Sequence, residues 1–157
     1  MTSFEHYLEL QQLYADYAAA LDEAQYERWP EFFVEEGSYR LQSKENVSLG
    51  HPLATIWCES RGMMQDRVYA VRETLYHEAY FQRHVVSAPR IVGQQDGVLH
   101  SEASYVVLRT KRGQFPEILS VGKYVDSTRR VDGKLLFVAR QCIFDNELIP
   151  NSIIYPI

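Results

Sequence analysis

Cysteine is scarce in this sequence, and it contains no long apolar run. The two cysteines, Cys58 and Cys142, form no motif and are typical of buried free thiols in a reducing compartment. No apolar run approaches the roughly 20 residues that a membrane span needs, and residues 2–7 lack the basic and apolar regions of a signal peptide. We therefore expect a cytoplasmic protein that does not enter a membrane.

Local motifs for metal or nucleophilic chemistry are also missing. No two of the five histidines have the i, i+3 or i+4 spacing that places two ligands on one helix face. Neither cysteine has a histidine within three residues, as the ligand pairs of a Rieske cluster require. No glycine-rich phosphate loop and no serine in a nucleophile-elbow context is present. General acid–base catalysis is not excluded, because one histidine and one carboxylate in a cavity can perform it.

The composition is that of an ordinary globular domain. The chain has 157 residues, of which 46% are hydrophobic and 24% charged, so we expect one domain with a substantial core. The net charge of −5 argues against nucleic-acid binding as the main role.

The first half, about 1–79, has the periodicity of helices and short strands. Thr2 and Glu5 have the spacing of a capping box, and Ser60 is a candidate cap for a later helix. The predicted helices extend to about residue 21 and cover 27–33 and 61–75, and the predicted strands cover 37–41 and 53–59 around a loop at 43–52.

The second half, about 80–146, is predicted to be an antiparallel meander. Asp96-Gly97, Lys111-Arg112-Gly113 and Asp132-Gly133 are turn sequences that separate four long strands. Helices followed by antiparallel strands indicate an α+β fold. We expect the helices to pack into the concave face of a strongly curved sheet and to leave a conical cavity.

Apolar residues occur on both faces of the predicted sheet. In residues 135–144 both alternating series are rich in apolar side chains, whereas a sheet with one wet face should alternate cleanly. The tail, 147–157, is also apolar. We predict that the outer face and the tail are buried against other subunits.

Asp22 and His84 are candidates for an acid–base pair. Asp22 falls at the end of the first predicted helix, where the helix dipole disfavours a carboxylate. His84 shares one strand face with Gln82 and Val86. The structural interpretation is that Asp22 bonds backbone donors or an arginine, while His84 is a buried histidine with satisfied hydrogen bonds.

Several short motifs follow one another along the chain, and they include Tyr14-x-x-Tyr17-Ala18-x-x-Leu21-Asp22, residues 27–33, Tyr39, Glu45-Asn46, Met64-x-Asp66-Arg67, Arg83-His84-Val85 and Gly122-Lys123-Tyr124-x-Asp126. These motifs resemble the small (beta) subunit of aromatic-ring-hydroxylating Rieske oxygenases, which has the cone-shaped fold of the nuclear transport factor 2-like (NTF2-like) group. The ordered set spans nearly the whole chain.

The resemblance implies a structural role beside a catalytic partner. An oxygenase alpha subunit would carry the Rieske [2Fe–2S] cluster and a mononuclear Fe(II) in an alpha3beta3 hetero-hexamer with contacts between beta subunits. A ferredoxin or reductase would deliver electrons from NAD(P)H to the alpha subunit. This chain would have no catalytic, cofactor-binding or metal-binding residue, and an aromatic acid of the salicylate or terephthalate type would be the substrate for mono- or dioxygenation.

A stand-alone, cofactor-free enzyme of the same fold is the alternative. A dehydratase, cyclase or isomerase would use Asp22 and His84 as its acid–base pair. Tyr14 or Tyr39 would be the phenolic donor to a developing enolate.

Overall fold

Helical segments make up most of the first 74 residues. The structure is a computed structural model that describes residues 3–148 and 153–157. The helical segments are α1 (Ser3–Asp22), a 3₁₀ helix (Tyr26–Phe32), α2 (Lys44–Ser48), α3 (Arg61–Tyr69) and a π-helical turn (Ala70–Thr74). Ser60 caps α3 as predicted, because its side chain accepts the Met63 N–H at 3.2 Å. The predicted cap Thr2 lies outside the described residues.

In the described part of the chain, seven strands form one mixed sheet. They are β1 (Phe33–Ser43), β2 (Ile56–Cys58), β3 (Tyr80–Val86), β4 (Arg90–Gln95), β5 (Val98–Lys111), β6 (Glu117–Val131) and β7 (Lys134–Phe144). Their order is β2-β1-β7-β6-β5-β3, and β4 also pairs with β5. β1 runs parallel to β7 and every other pairing is antiparallel. The predicted α+β arrangement of helices on a long sheet is confirmed.

The meander contains five strands and not the predicted four. The strand expected before Asp96 is interrupted at residues 87–89, and β3 and β4 pair with successive parts of β5. Pro89 has no N–H to donate to a ladder, which explains an interruption at this point. The predicted turns are confirmed, since Asp96, Gly97, Asp132 and Gly133 all have positive φ angles, between 48° and 80°.

Boundaries in the first half differ from the prediction in three places. The predicted loop at 43–52 contains α2, because the side chain of Ser43 caps it by accepting the Asn46 N–H at 3.1 Å. The strand predicted at 37–41 extends over Phe33–Ser43, since pairing with β7 continues past both ends. The strand predicted at 53–59 is only Ile56–Cys58, the residues that pair with β1.

The described end of the tail, residues 153–157, packs into the core of its own chain. Ile153, Tyr155 and Ile157 are at most 5% exposed within the isolated chain. Tyr155 stacks on Tyr26, with ring centroids 4.6 Å apart. The prediction that this tail needs another subunit for its burial is therefore wrong for these three residues, because the concave side of the sheet already supplies an apolar surface.

Part of the outer face is apolar and exposed. Along β3, Tyr80, Gln82 and His84 are buried, while Phe81 and Val85 are 74% and 56% exposed. The burial of this outer face against other subunits stays a prediction. No helix within residues 3–148 and 153–157 is long and apolar enough to cross a membrane.

Candidate functional site

Asp22 and His84 meet where the C-terminus of α1 contacts β3. Oδ1 of Asp22 lies 2.6 Å from Nδ1 of His84, and both side chains are at least nine-tenths buried. The Asp22 carboxylate also accepts the backbone N–H of His84, at 3.0 and 3.1 Å to its two oxygens. These donors offset the unfavourable position of a carboxylate at a helix C-terminus. The structure therefore brings together the two residues that the sequence suggested as a pair.

The purely structural interpretation, in which all hydrogen bonds of Asp22 and His84 are satisfied, agrees only in part with the observed contacts. Asp22 does bond a backbone donor, and Nη1 of the exposed Arg83 lies 3.8 Å from its carboxylate. His84 is buried, but its Nε2 has no hydrogen-bond partner among the described residues. The imidazole is thus held at one nitrogen only.

Tyr14 is engaged elsewhere in the core. Its hydroxyl donates a short hydrogen bond to Asp126 and lies 3.2 Å from Oγ of Ser101. Burial, together with the nearby Asp126 carboxylate, raises the pKa of Tyr14 well above its usual value. The phenol remains protonated at neutral pH and already uses its proton inside the protein.

Tyr39 bonds the tail and not the acid–base pair. Its hydroxyl donates to the main-chain oxygen of Ile157 at 3.1 Å and accepts the Ile157 N–H at 2.8 Å. The hydroxyl of Tyr17 donates to the same oxygen at 2.9 Å. Burial raises the pKa of Tyr39. Asp22 and His84 therefore form a pair, while the hydroxyls of Tyr14 and Tyr39 make separate contacts, although Tyr14 and His84 line the same cleft.

An ion pair between Asp126 and Arg140 occupies the centre of the cone. Arg140 donates from Nε at 3.1 Å and from Nη2 at 2.7 Å to the two carboxylate oxygens, and both side chains are fully buried. Burial opposes the charge on the guanidinium, but Asp126 outweighs this effect and raises the pKa of Arg140. The guanidinium therefore keeps its charge in the core.

Aromatic rings surround the guanidinium of Arg140. The distances from its Cζ to the ring centroids are 3.9 Å for Tyr124, 4.1 Å for Phe137, 4.2 Å for Tyr17 and 4.7 Å for Tyr14. Each ring face attracts the cation. No sequence pattern indicated this cluster, although Asp126 and Arg140 are direct partners across the β6–β7 ladder once the register is known.

Metal-ligand side chains do not gather in the described part of the chain. Among residues 3–148 and 153–157, no group of three or more His, Cys, Asp or Glu could hold an ion. Cys58 and Cys142 are buried and free, as predicted.

Comparison with known protein families shows to which family this chain belongs. Residues 17–151 match the family described as "Ring hydroxylating beta subunit". This chain belongs to that family. The resemblance noted in the sequence is thereby confirmed, and so is the NTF2-like fold.

Individual relatives of this beta subunit are similar to it in sequence or structure over almost its whole length. The anthranilate 1,2-dioxygenase small subunit of Burkholderia cepacia is 33% identical over 151 residues, which cover 96% of this chain and 94% of the relative. Terephthalate 1,2-dioxygenase terminal oxygenase component subunit beta 1 of a Comamonas species is 28% identical, with 91% and 93% covered. A solved beta subunit, assigned to an aromatic-ring-hydroxylating dioxygenase of Novosphingobium aromaticivorans, superimposes with a TM-score of 0.91, at 33% identity and 99% coverage of both chains.

Proposed function

We propose that this beta subunit is non-catalytic and that it assembles and positions the iron-bearing alpha subunits of a ring-hydroxylating oxygenase. The observation that carries the proposal is the filled interior of the cone. Ile157 lies between Tyr17 and Tyr39, and the Asp126–Arg140 pair with its aromatic rings lies beside them. An aromatic substrate would have to displace these side chains to reach the centre.

The proposed assembly is an alpha3beta3 hetero-hexamer. The family resemblance supports alpha subunits that hold the Rieske [2Fe–2S] cluster and the mononuclear Fe(II), with electrons from NAD(P)H through a ferredoxin or reductase. Exposed apolar side chains on β3 and β6, such as Phe81, Val85 and Ile118, would be covered by neighbouring subunits. The free, buried cysteines support a cytoplasmic location.

An aromatic acid is the proposed substrate class for the whole enzyme. The names of the relatives support it, because anthranilate and terephthalate are both aromatic carboxylates. The same names favour dioxygenation over monooxygenation.

Purification with and without the alpha subunit tests this role. We expect the beta subunit alone to contain no stoichiometric iron and to show no oxygenase activity, and to join a hexamer on co-expression with the alpha subunit. Light scattering gives the mass, and metal analysis gives the iron content of each preparation. Tightly bound iron in the isolated chain, or a monomer that never joins the alpha subunit, would contradict the proposal.

A stand-alone acid–base enzyme is the second candidate, favoured by the 2.6 Å contact between Asp22 and His84. The engaged hydroxyls of Tyr14 and Tyr39 weigh against it. If this candidate is correct, His84→Ala abolishes turnover of a small polyketide- or steroid-like compound while the fold survives. For a structural subunit, the same substitution weakens assembly with the alpha subunit instead.

A further inference from the structure

The outer face of the sheet carries apolar side chains on three neighbouring strands, β3, β5 and β6. The ladder places Val85, Val106 and Val121 in one row across these strands, and Leu108 beside Ile118 in the next row. Side chains directly opposite each other in such rows are about 5 Å apart, so they form one continuous surface. We call this surface the outer patch, and its apolar members are Phe81, Val85, Val106, Leu108, Ile118 and Val121.

The outer patch is open to solvent in the isolated chain. Its exposed fraction reaches 74% at Phe81 and 61% at Ile118. Proteins that act as monomers rarely expose a large continuous apolar surface, and such surfaces usually mark interaction sites. Membership of a beta-subunit family implies an alpha subunit as partner. A protein surface that covers the patch is therefore expected.

A cation interrupts the apolar row on β3. Arg83 lies between Phe81 and Val85 on the same face of the strand and is in register with Leu108. Its side chain is 73% exposed, and its Nη1 lies 3.8 Å from the carboxylate of Asp22. The guanidinium donates no hydrogen bond to any residue that the structure describes. Its N–H donors are therefore available to a partner.

The other charged side chains at this end of the sheet already have partners. Glu117 pairs with the buried Arg109, and Glu78 pairs with Lys111 at 3.3 Å. Neither carboxylate is left over for Arg83. The patch therefore presents an apolar surface with one accessible cation, and its complement is an apolar surface with a carboxylate.

Contact between two copies of the outer patch is disfavoured by the same arginine. In a two-fold contact a surface meets itself, so residues near its middle face their own copies. Two guanidinium groups would then face each other in a region from which water is excluded, and like charges repel strongly there. A partner with a different surface avoids this repulsion.

We propose that the outer patch is the docking surface for the alpha subunit, which covers it with apolar side chains and places a carboxylate against Arg83. This inference rests on the structural role proposed above and adds the surface and the chemistry of the contact. The patch lies on the opposite face of the sheet from the side chains that fill the cone, so docking leaves the interior of the cone unchanged.

Carbodiimide coupling tests for the carboxylate. Arg83→Lys introduces a primary amine, which a carbodiimide joins as an amide to a carboxylate in direct contact. In the complex co-expressed with the alpha subunit, we expect mass spectrometry to find a cross-link from residue 83 to an Asp or Glu of the alpha subunit. Arg90→Lys is the matched control, because the Arg90 side chain is 72% exposed and pairs with Glu102 of its own chain. It should couple within the chain only.

The cross-linked partner decides between the possible occupants. A cross-link from residue 83 to a second copy of this chain would show that the patch joins beta subunits, and it overturns the proposal. The absence of any cross-link from residue 83 to the alpha subunit overturns it as well.

A pair of apolar side chains with equal exposure locates the surface. Ile118 in the outer patch and Leu53 in the loop before β2 are both 61% exposed. Each aspartate variant is co-expressed with a tagged wild-type copy and a limiting amount of the alpha subunit, and the complex is analysed by mass spectrometry. We expect Ile118→Asp to enter the complex at least about tenfold less than the wild type, and Leu53→Asp to enter it within about twofold of the wild type.

The wild-type chain separates the two levels of the argument. If the wild type does not join the alpha subunit at all, the structural role itself is wrong, and this inference with it. If the wild type joins and both aspartate variants compete equally, the role stands and the outer patch is not the docking surface.

Discussion

The buried ion pair between Asp126 and Arg140 allows the sharpest prediction about stability. Both side chains are 0% exposed, and two hydrogen bonds of 2.7 and 3.1 Å join them. Arg140→Met removes the cation and leaves the Asp126 carboxylate in the core with the Tyr14 hydroxyl as its remaining side-chain donor among the described residues. Asp126→Asn removes the anion and leaves a buried guanidinium. In each single variant one charge loses its counter-ion.

The expected cost follows from the desolvation of that remaining charge. Breaking a buried pair typically costs about 3–5 kcal/mol, whereas removing both charges is often close to neutral. We therefore expect each single variant to lose about 3–5 kcal/mol, a large part of the roughly 5–15 kcal/mol that stabilises a typical domain. The double variant Asp126→Asn/Arg140→Met should be more stable than either single variant, because no unpaired charge is left.

Urea unfolding of the four proteins measures this coupling. The fluorescence of Trp29 is a suitable signal, since this side chain is fully buried and its Nε1 donates to the Tyr17 hydroxyl at 3.1 Å. Arg90→Met is the matched control, because the pair that Arg90 forms with Glu102 has a similar 2.7 Å contact, but the arginine side chain is 72% exposed. It should cost less than about 1 kcal/mol. Additive effects in the double variant, or equal costs for Arg140→Met and Arg90→Met, would show that the reasoning is wrong.

Three further substitutions test the packing of the cone. Gly122→Ala should cost at least about 3 kcal/mol in urea unfolding, because a Cβ there would lie 1.9 Å from a carbonyl oxygen of β7. Gly93→Ala, with nothing within 4 Å, should cost less than about 1 kcal/mol, and similar losses in both would contradict this packing. Tyr39→Phe should lower the free energy of unfolding by about 1–3 kcal/mol, because it removes two hydrogen bonds to the tail. Tyr69→Phe is the control and should change stability little, since Tyr69 is exposed. Equal effects of the two substitutions would refute a buried tail. Burial raises the pKa of Cys142 from 9.0 to about 12, so the unfolded chain loses its thiol proton first as pH rises above 9. Ionisation of this thiol should therefore lower the free energy of unfolding by about 1.4 kcal/mol between neutral pH and pH 10. Cys142→Ala should remove that part of the loss, as measured by urea unfolding at the two pH values. An unchanged pH dependence in the variant would contradict this assignment.

Local chemistry in the sequence was sufficient for most of the architecture. The Asp-Gly pairs predicted two hairpins, because they readily adopt positive φ angles, and Ser60 predicted the start of α3 through its capping hydroxyl. The order of helices before strands predicted the α+β class. The break at residues 87–89 was missed, although Pro89 is a signal for it in the sequence, because proline has no N–H to donate to a ladder.

The candidate site was only partly accessible from the sequence. Asp22 and His84 were identified from their positions on a helix end and a strand face, and the structure places them in contact. The Asp126–Arg140 pair was not identified, because its two residues become partners only when the register of β6 and β7 is fixed.

The sequence by itself determined the order of helices before strands, the turns and the family, because these depend on local conformational preference and on motifs within short segments. Only the tertiary structure decided what fills the cone. The tail has the composition of an intersubunit contact, yet residues 153–157 return to Tyr17 and Tyr39, which lie more than a hundred positions earlier in the chain. Burial of apolar surface is non-directional, so composition shows that a segment must be covered but does not show which surface covers it.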